Sequence, residues 1–490
     1  MYRLSLLDRG ATAFVDETLY FTSVMTLQSL SAGDVHGAVK AIATARGRHG
    51  AALIQLPVAA LQAIPSHFGI PASNLQSLLI PAVCNVLVTL VTLFFFFRIC
   101  VEVCGDAWAA LIGASVYAFL VNTNLYVRHM LPYDWALCIG IGAVWLVVTR
   151  PRAGRLPVWT GLLTGIMVTI YTGYYLFAGV LGVGFVLQAW WSGGWRQAAR
   201  FAVIFAASAA TVVAVMELIF RAGGLSYVGG LRAQSRDIAF VSADDGWMFL
   251  PAYLLQVERL SGVALLGGTV VYLWRAAWRV RRRALRPIDF LIVPAVAGWA
   301  WQSLSSAQLH AIPLYGRLLH PWMPFLAWAL VDSMAAIERP RLRHVARAVV
   351  VTAGVVSWVL SARAYHRLSY PPDVLYALRI DTTRVSGDRK LCELCPGTSY
   401  ASPGPLDRDT QYPYTDAGNN YILVNFCQAL PQVPRPRIPA VINEPVTLIY
   451  DGPHWMTFQA YAFEGLAPPD RAAMREHDYR VRVFRRTSSN

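Results

Sequence analysis

Long apolar runs recur along this chain, and at that frequency they constrain it more tightly than any other feature. A helix needs about 20 predominantly apolar residues to cross the roughly 30 Å of hydrocarbon in a bilayer. Runs of that kind lie at 77–101, 107–124, 135–149, 200–220, 259–278, 288–304, 319–337 and 346–362. A further stretch, 157–191, is too long for a single crossing and is interrupted at Thr172-Gly173, so it reads as two short helices. The expectation is an all-α polytopic bundle of about ten transmembrane helices, since only helices satisfy their own backbone inside hydrocarbon. Composition points the same way: 56% of the 490 residues are hydrophobic and 14% charged, against about 25% charged in an ordinary soluble domain.

A formal charge of +14 invites a nucleic-acid reading, but the cations stand in short clusters between apolar runs, where they set topology. Arg150, Arg152 and Arg155 follow the third run, Arg196 and Arg200 the fifth helix, Arg279 to Arg286 the seventh, and Arg339 to Arg347 the ninth. Every second loop is therefore basic and cytoplasmic. The intervening loops 125–134, 221–258 and 305–318 face outward in a bacterial plasma membrane, together with both ends of the chain. Residues 1–20 lack an apolar core and carry Asp8, Arg9, Asp16 and Glu17, so no cleavable signal is legible and targeting falls to the first true span.

Three regions follow from this: an extracytoplasmic N-terminal segment (1–76), the transmembrane domain (77–363) and an extracytoplasmic soluble domain (364–490). In the first, the apolar stretch 51–64 is too short to cross and follows Arg46, Arg48 and His49, which suits a helix lying in the interface. The last is rich in Pro, Tyr, Asp and Arg, and its strand-like runs at 421–426 and 446–450 indicate a small α+β fold. Cys84, Cys100, Cys104 and Cys138 sit in or beside apolar runs and read as packing residues. Cys392, Cys395 and Cys427 lie in the tail, where a disulfide is the first reading and a zinc site the second.

Four places carry candidate chemistry. Asp16 and Glu17 form an acid pair with Tyr20 on the same helix face as Asp16. Asp134 opens the third run behind Arg128 and His129; a carboxylate there is either a helix-start charge or a functional group, because ionisable residues near hydrocarbon are costly. In 308–321, Tyr315, Arg317 and His320 stand at the outer edge of the ninth run, where an Arg fork suits a lipid phosphate or ordinary headgroups. Loop 221–258 holds Arg232, Arg236, Asp237, Asp244, Asp245 and Glu258, with no spacing that fixes a role.

Asp16-Glu17-x-x-Tyr20 in an outer first loop, an Arg-containing segment ending in Asp134 at a span mouth, and Tyr315-x-Arg317-x-x-x-Pro321-x-x-Pro324 resemble, in that order, the polytopic C-type glycosyltransferases of the protein-mannosyltransferase and aminoarabinose-transferase-like branch. The likeness covers roughly residues 10–340, and Tyr461–Gly465 and Asp478–Arg485 look like the ending of many bacterial members. The resemblance implies inverting transfer of a sugar from a polyprenyl-phosphate donor to an extracytoplasmic glycan, lipid or protein acceptor. It assigns Asp16 as base and Glu17 and Asp134 as orienting carboxylates in the catalytic set. It assigns Tyr20, Arg128, His129, Tyr315, Arg317 and His320 to substrate binding, with Arg317 on the departing phosphate. No metal and no cofactor is expected, although these carboxylates are of the type that holds a divalent cation. Two other classes fit a many-spanned chain: a carrier or flippase for a lipid-linked precursor, and a non-catalytic envelope-assembly protein. The two halves show no clear internal repeat of the kind carriers often have.

Overall fold

The computed structural model describes residues 11–12, 23–44, 52–69, 79–125, 132–150, 154–238, 246–308, 316–369, 391–393, 399–400, 421–425, 446–451 and 481–486. A two-residue strand, β1 (Ala11–Thr12), precedes three short helices, α1 (Ser23–Ser31), α2 (Val35–Thr44) and α3 (Ala52–His67). The buried Ser23 hydroxyl donates to Gln55 Oε1 at 2.5 Å and ties α1 to α3. Helix α3 covers residues 52–64 of the 51–64 run; at 16 residues it rises about 24 Å, short of a bilayer core, and carries Pro57 and Pro65.

The bundle proper follows as α4 (Leu79–Cys104), α5 (Ala107–Phe119), α6 (Val121–Leu125), α7 (Tyr133–Thr149), α8 (Leu156–Ile170) and α9 (Tyr175–Ala222). Next come α10 (Tyr227–Ile238), α11 (Phe249–Tyr253), α12 (Leu260–Arg281), α13 (Asp289–Ala307), α14 (Met323–Ala335) and α15 (Pro340–Ser369). Within the described residues the apolar runs named above are largely helical, the run at 107–124 breaking at an extended Leu120. Among the described residues, four helical stretches suffice by length and apolarity to cross a membrane: 79–104, 172–222, 260–281 and 340–360. Loop 221–258 holds α10 and α11.

The long stretch from 156 to 222 breaks twice. A 3-10 turn, Thr172–Tyr174, separates α8 from α9, where the sequence places the interruption. Helix α9 is itself two limbs that meet at Gly193-Gly194, and Gly194 has φ 76° and ψ −177°, a region essentially closed to residues with a Cβ. Exposed Trp190, Trp191 and Trp195 flank the break, with the Arg196 guanidinium 5.7 Å from the Trp195 ring centroid. Aromatic rings beside cations are the usual furnishing of a membrane interface.

Helix α14 is the centre. Every residue from Met323 to Met334 is buried, and the helix packs against α4, α5, α12, α13 and α15. A helix that is apolar on all sides has no solvent face and belongs in the middle of a bundle. Trp328 stacks on Phe96 of α4, centroids 5.3 Å apart, and Phe96 stacks in turn on Tyr117 of α5 at 5.0 Å. A second close seam joins α8 to the second limb of α9. A Cβ on Gly161 would lie 2.4 Å from the Phe205 carbonyl oxygen, and one on Gly165 would lie 2.8 Å from that of Ala209. Small residues four apart let two backbones approach, as is common between helices in membranes.

Beyond α15 the described elements are strands: β2 (Leu391–Glu393), β3 (Ser399–Tyr400), β4 (Tyr421–Asn425), β5 (Val446–Asp451) and β6 (Val481–Arg486). They form a mixed sheet in the order β2-β4-β6-β5, while β3 pairs antiparallel with β1. Cys395 and Cys427 lie outside the described residues; of Cys392 only the backbone, in β2, is described.

Candidate functional site

The helix ends gather charged and polar side chains into two groups, one at each end of the bundle. At the end where α7, α12 and α14 begin, Asp134 occupies the first turn of α7, where the helix dipole favours an acid, and is 3% exposed. Thr89 of α4 donates its hydroxyl to Asp134 Oδ1 at 3.3 Å. His320 approaches from a seven-residue 3-10 turn, Gly316–Trp322, that leads into α14. Its ring is fully buried, with Nε2 at 3.6 Å from Asp134 Oδ1, an ion-pair separation, and Nδ1 at 3.1 Å from Asn122 Oδ1.

Asn122, in α6, is fixed on three sides. Its side-chain amide donates to the Tyr253 hydroxyl at 2.9 Å and to the Gly316 carbonyl at 3.0 Å. Its backbone N–H donates to Glu258 Oε1, and that of Val121 to Oε2, both at 2.8 Å. Glu258 reaches them from the last position of a π-helical turn, Leu254–Glu258, that is followed by Arg259 at φ 55°. Both features are costly for an ordinary sequence and cluster at functional sites, and here they aim a buried carboxylate across the bundle. Burial pushes the Glu258 carboxyl up to about 7, against the pull of its two backbone N–H donors.

The opposite end is a clasp of ions. Arg279 binds Asp289 through two nitrogens, Nε to Oδ2 at 2.9 Å and Nη2 to Oδ1 at 2.7 Å. The Tyr272 hydroxyl donates to Asp289 Oδ1 at 2.5 Å and the Arg286 backbone N–H to Oδ2 at 2.9 Å. Arg286 Nη2 pairs with Asp332 Oδ1 at 2.7 Å, and Arg275 donates to the Asp332 carbonyl at 3.1 Å. Nearby, Asp106 caps α5 by accepting from the N–H of Trp108 and Ala109, and pairs with Arg347 of α15. Nearly every charge here has an opposite partner, which suits a structural tie between α12, α13 and α14; the first end holds the less compensated group.

Of the residues the sequence singles out, Asp134 and His320 are brought together although 186 positions apart in the chain. Asp16, Glu17, Tyr20, Arg128, His129 and Tyr315 lie outside the described residues, as does the side chain of Arg317, whose backbone belongs to the turn carrying His320. Asn122, Tyr253 and Thr89 are additions made by the structure. Asn122-Thr123-Asn124, three polar residues closing an apolar run, was the available signal for the first. Glu258 stood in the sequence among the charges of one loop, and the fold buries it to 1% exposure. Among the described residues no three His, Cys, Asp or Glu groups converge as a metal site requires.

Searches of protein-family models, curated proteins and solved structures return no match to this chain. The long apolar helices and buried ionic ends are those of a helical membrane-type bundle.

Proposed function

We propose that this chain is a membrane glycosyltransferase that moves a sugar from a polyprenyl-phosphate donor to an extracytoplasmic glycan, lipid or protein acceptor with inversion. In this reading about ten helices cross a bacterial plasma membrane, the Asp134 end faces outward, and the tail is a small α+β domain on the same side. The observation that carries the reading is the buried pairing of Asp134 with His320 at one mouth of the bundle. A carboxylate and an imidazole withdrawn into an apolar bundle are expensive and are kept where they do chemistry or hold a substrate. They come from two of the three segments on which the family resemblance rests.

The chemistry is a single displacement. The acceptor oxygen bonds to the anomeric carbon as the bond to the phosphate oxygen breaks, the electron pair leaves with the polyprenyl phosphate, and the acceptor proton passes to a carboxylate base, assigned to Asp16. Arg317 serves the departing phosphate, since a guanidinium fork matches its oxygens. Arg128, His129, Tyr315, Tyr20 and His320 are assigned to substrate binding, and Glu17 and Asp134 orient the reactants. Helices α1 to α3 provide the surface along which the lipid chain enters.

The test compares envelope glycans, by mass spectrometry, from cells carrying the wild-type gene, no gene, or the Asp16→Asn or Asp134→Asn allele at matched membrane abundance. A product missing in the null strain and reduced about 100-fold or more in either variant is the expected result. Identical glycans in the null and wild-type strains would overturn it.

A further inference from the structure

We propose that Asp134 and His320 share one proton, and that Asn122 is the positioning residue that makes them do so. The argument begins at the Gly316 carbonyl, which can only accept a hydrogen bond. Because it lies 3.0 Å from the Asn122 amide nitrogen, that nitrogen must face it, and the Asn122 oxygen must face His320. An amide oxygen is an acceptor, so His320 Nδ1, 3.1 Å away, carries a hydrogen. A neutral imidazole with its hydrogen on Nδ1 has a lone pair on Nε2. Here Nε2 lies 3.6 Å from Asp134 Oδ1, so with both groups unprotonated a lone pair would point at a carboxylate. One proton relieves this, either on Nε2, giving an imidazolium beside a carboxylate, or on Asp134, giving an acid beside an imidazole.

The surroundings of Asp134 lead independently to the same result. Among the described residues its Oδ1 receives only the 3.3 Å bond from Thr89, and its Oδ2 is buried with no hydrogen bond. A carboxylate so poorly supported requires a neighbouring cation or a proton of its own. Glu258, the other carboxylate at this end among the described residues, directs both oxygens at backbone N–H groups of Val121 and Asn122, so its contribution to the pair is to hold Asn122 in place.

With one shared proton the pair has no net charge, whereas a bare Asp134 would repel an anion. A neutral pair leaves this mouth open to a phosphate. That use rests on the sugar-transfer reading; the proton does not, and it is measured on the protein alone.

The experiment uses the full chain in lipid nanodiscs near neutral pH, with 15N-labelled histidine for ring-nitrogen NMR and infrared spectroscopy of the carboxyl stretch. His320→Gln and Asp134→Asn assign the two signals by their loss. Expected is either protonation of both His320 nitrogens, or an Nδ1–H imidazole together with a carboxylic-acid band that disappears in Asp134→Asn. An ionised Asp134 beside a neutral His320, in either tautomer, overturns the proposal. In Asn122→Leu the acceptor for Nδ1 is gone, and the signal shifts to a neutral ring with its hydrogen on Nε2. Asn122→Asp keeps an acceptor oxygen and retains the Nδ1–H. An unchanged His320 spectrum in Asn122→Leu would remove Asn122 from the role. Unaltered glycans with the shared proton present would reject sugar transfer and leave this inference standing.

Discussion

Glu258 illustrates what a single side chain contributes here and how its charge state can be read. Its carboxyl sits at about 7 in the fold against 4.5 for the free group, chiefly through burial. Between those values the native state binds more protons than the unfolded chain, so this residue's contribution to stability is complete below about pH 4.5 and is lost as pH rises through about 7. The loss is on the order of 3 kcal/mol. Thermal midpoints of wild type and Glu258→Gln between pH 5 and 8 test it: the wild type falls relative to the variant, and a wild type that rises relative to it contradicts the assignment. Asp106 has the opposite sign. Partial burial opposes its ionisation, but the Ala109 N–H and the Arg347 guanidinium outweigh this and hold its carboxyl below the usual range. Its contribution is therefore present above the ordinary carboxylate range and lost on acidification. At this scale the sequence was partly legible. Asp134 and His320 stand out as ionisable residues beside apolar runs, whereas Asn122 and Tyr253 become partners only through contacts 131 positions apart.

Among elements, two glycine positions decide how the chain turns and packs. Replacing Gly161 by Leu puts side-chain atoms where the Phe205 carbonyl stands, so α8 and α9 must separate, at a cost of about 1–3 kcal/mol or more. Gly194→Ala leaves open space around the new methyl but asks for a backbone conformation that alanine rarely adopts, costing about 1–3 kcal/mol. Both are expected to lower the thermal midpoint of the purified protein; a midpoint unchanged in Gly161→Leu would show that α8 and α9 do not meet along this seam. The break at Thr172-Gly173 was visible in the sequence because an apolar stretch of that length cannot be one span. The Gly161-x-x-x-Gly165 spacing was also there to be read, but spacing does not name the facing helix. The π-helical turn before α12 had no visible signature, since nothing local distinguishes Leu254–Glu258 from an ordinary helical start.

For the whole molecule, hydropathy and the alternation of basic loops predicted helices that run back and forth. The structure groups Asn122, Asp134, Glu258 and His320 at one end, and Asp106, Asp289, Asp332 and Arg347 at the other. This partition gives a prediction for membrane topology. Single cysteines placed at Trp247 and at Arg282 in a cysteine-free background should be labelled by an impermeant thiol reagent from opposite sides of the membrane, Trp247 from outside. Labelling of both from one side would break the proposed orientation. The acid pair at 16–17 marks the limit of legibility, because whether it meets Asp134 is a matter of long-range placement and its residues lie outside those described.

Helix α14 is gripped at both ends, by His320 on its leading turn and by Asp332 near its finish, about 20 Å away. With no solvent face and close-packed neighbours all round, it behaves as a strut and has little freedom to bend. Sliding it to admit a ligand beside His320 would draw Asp332 away from Arg286, so the two ends of the bundle are mechanically coupled.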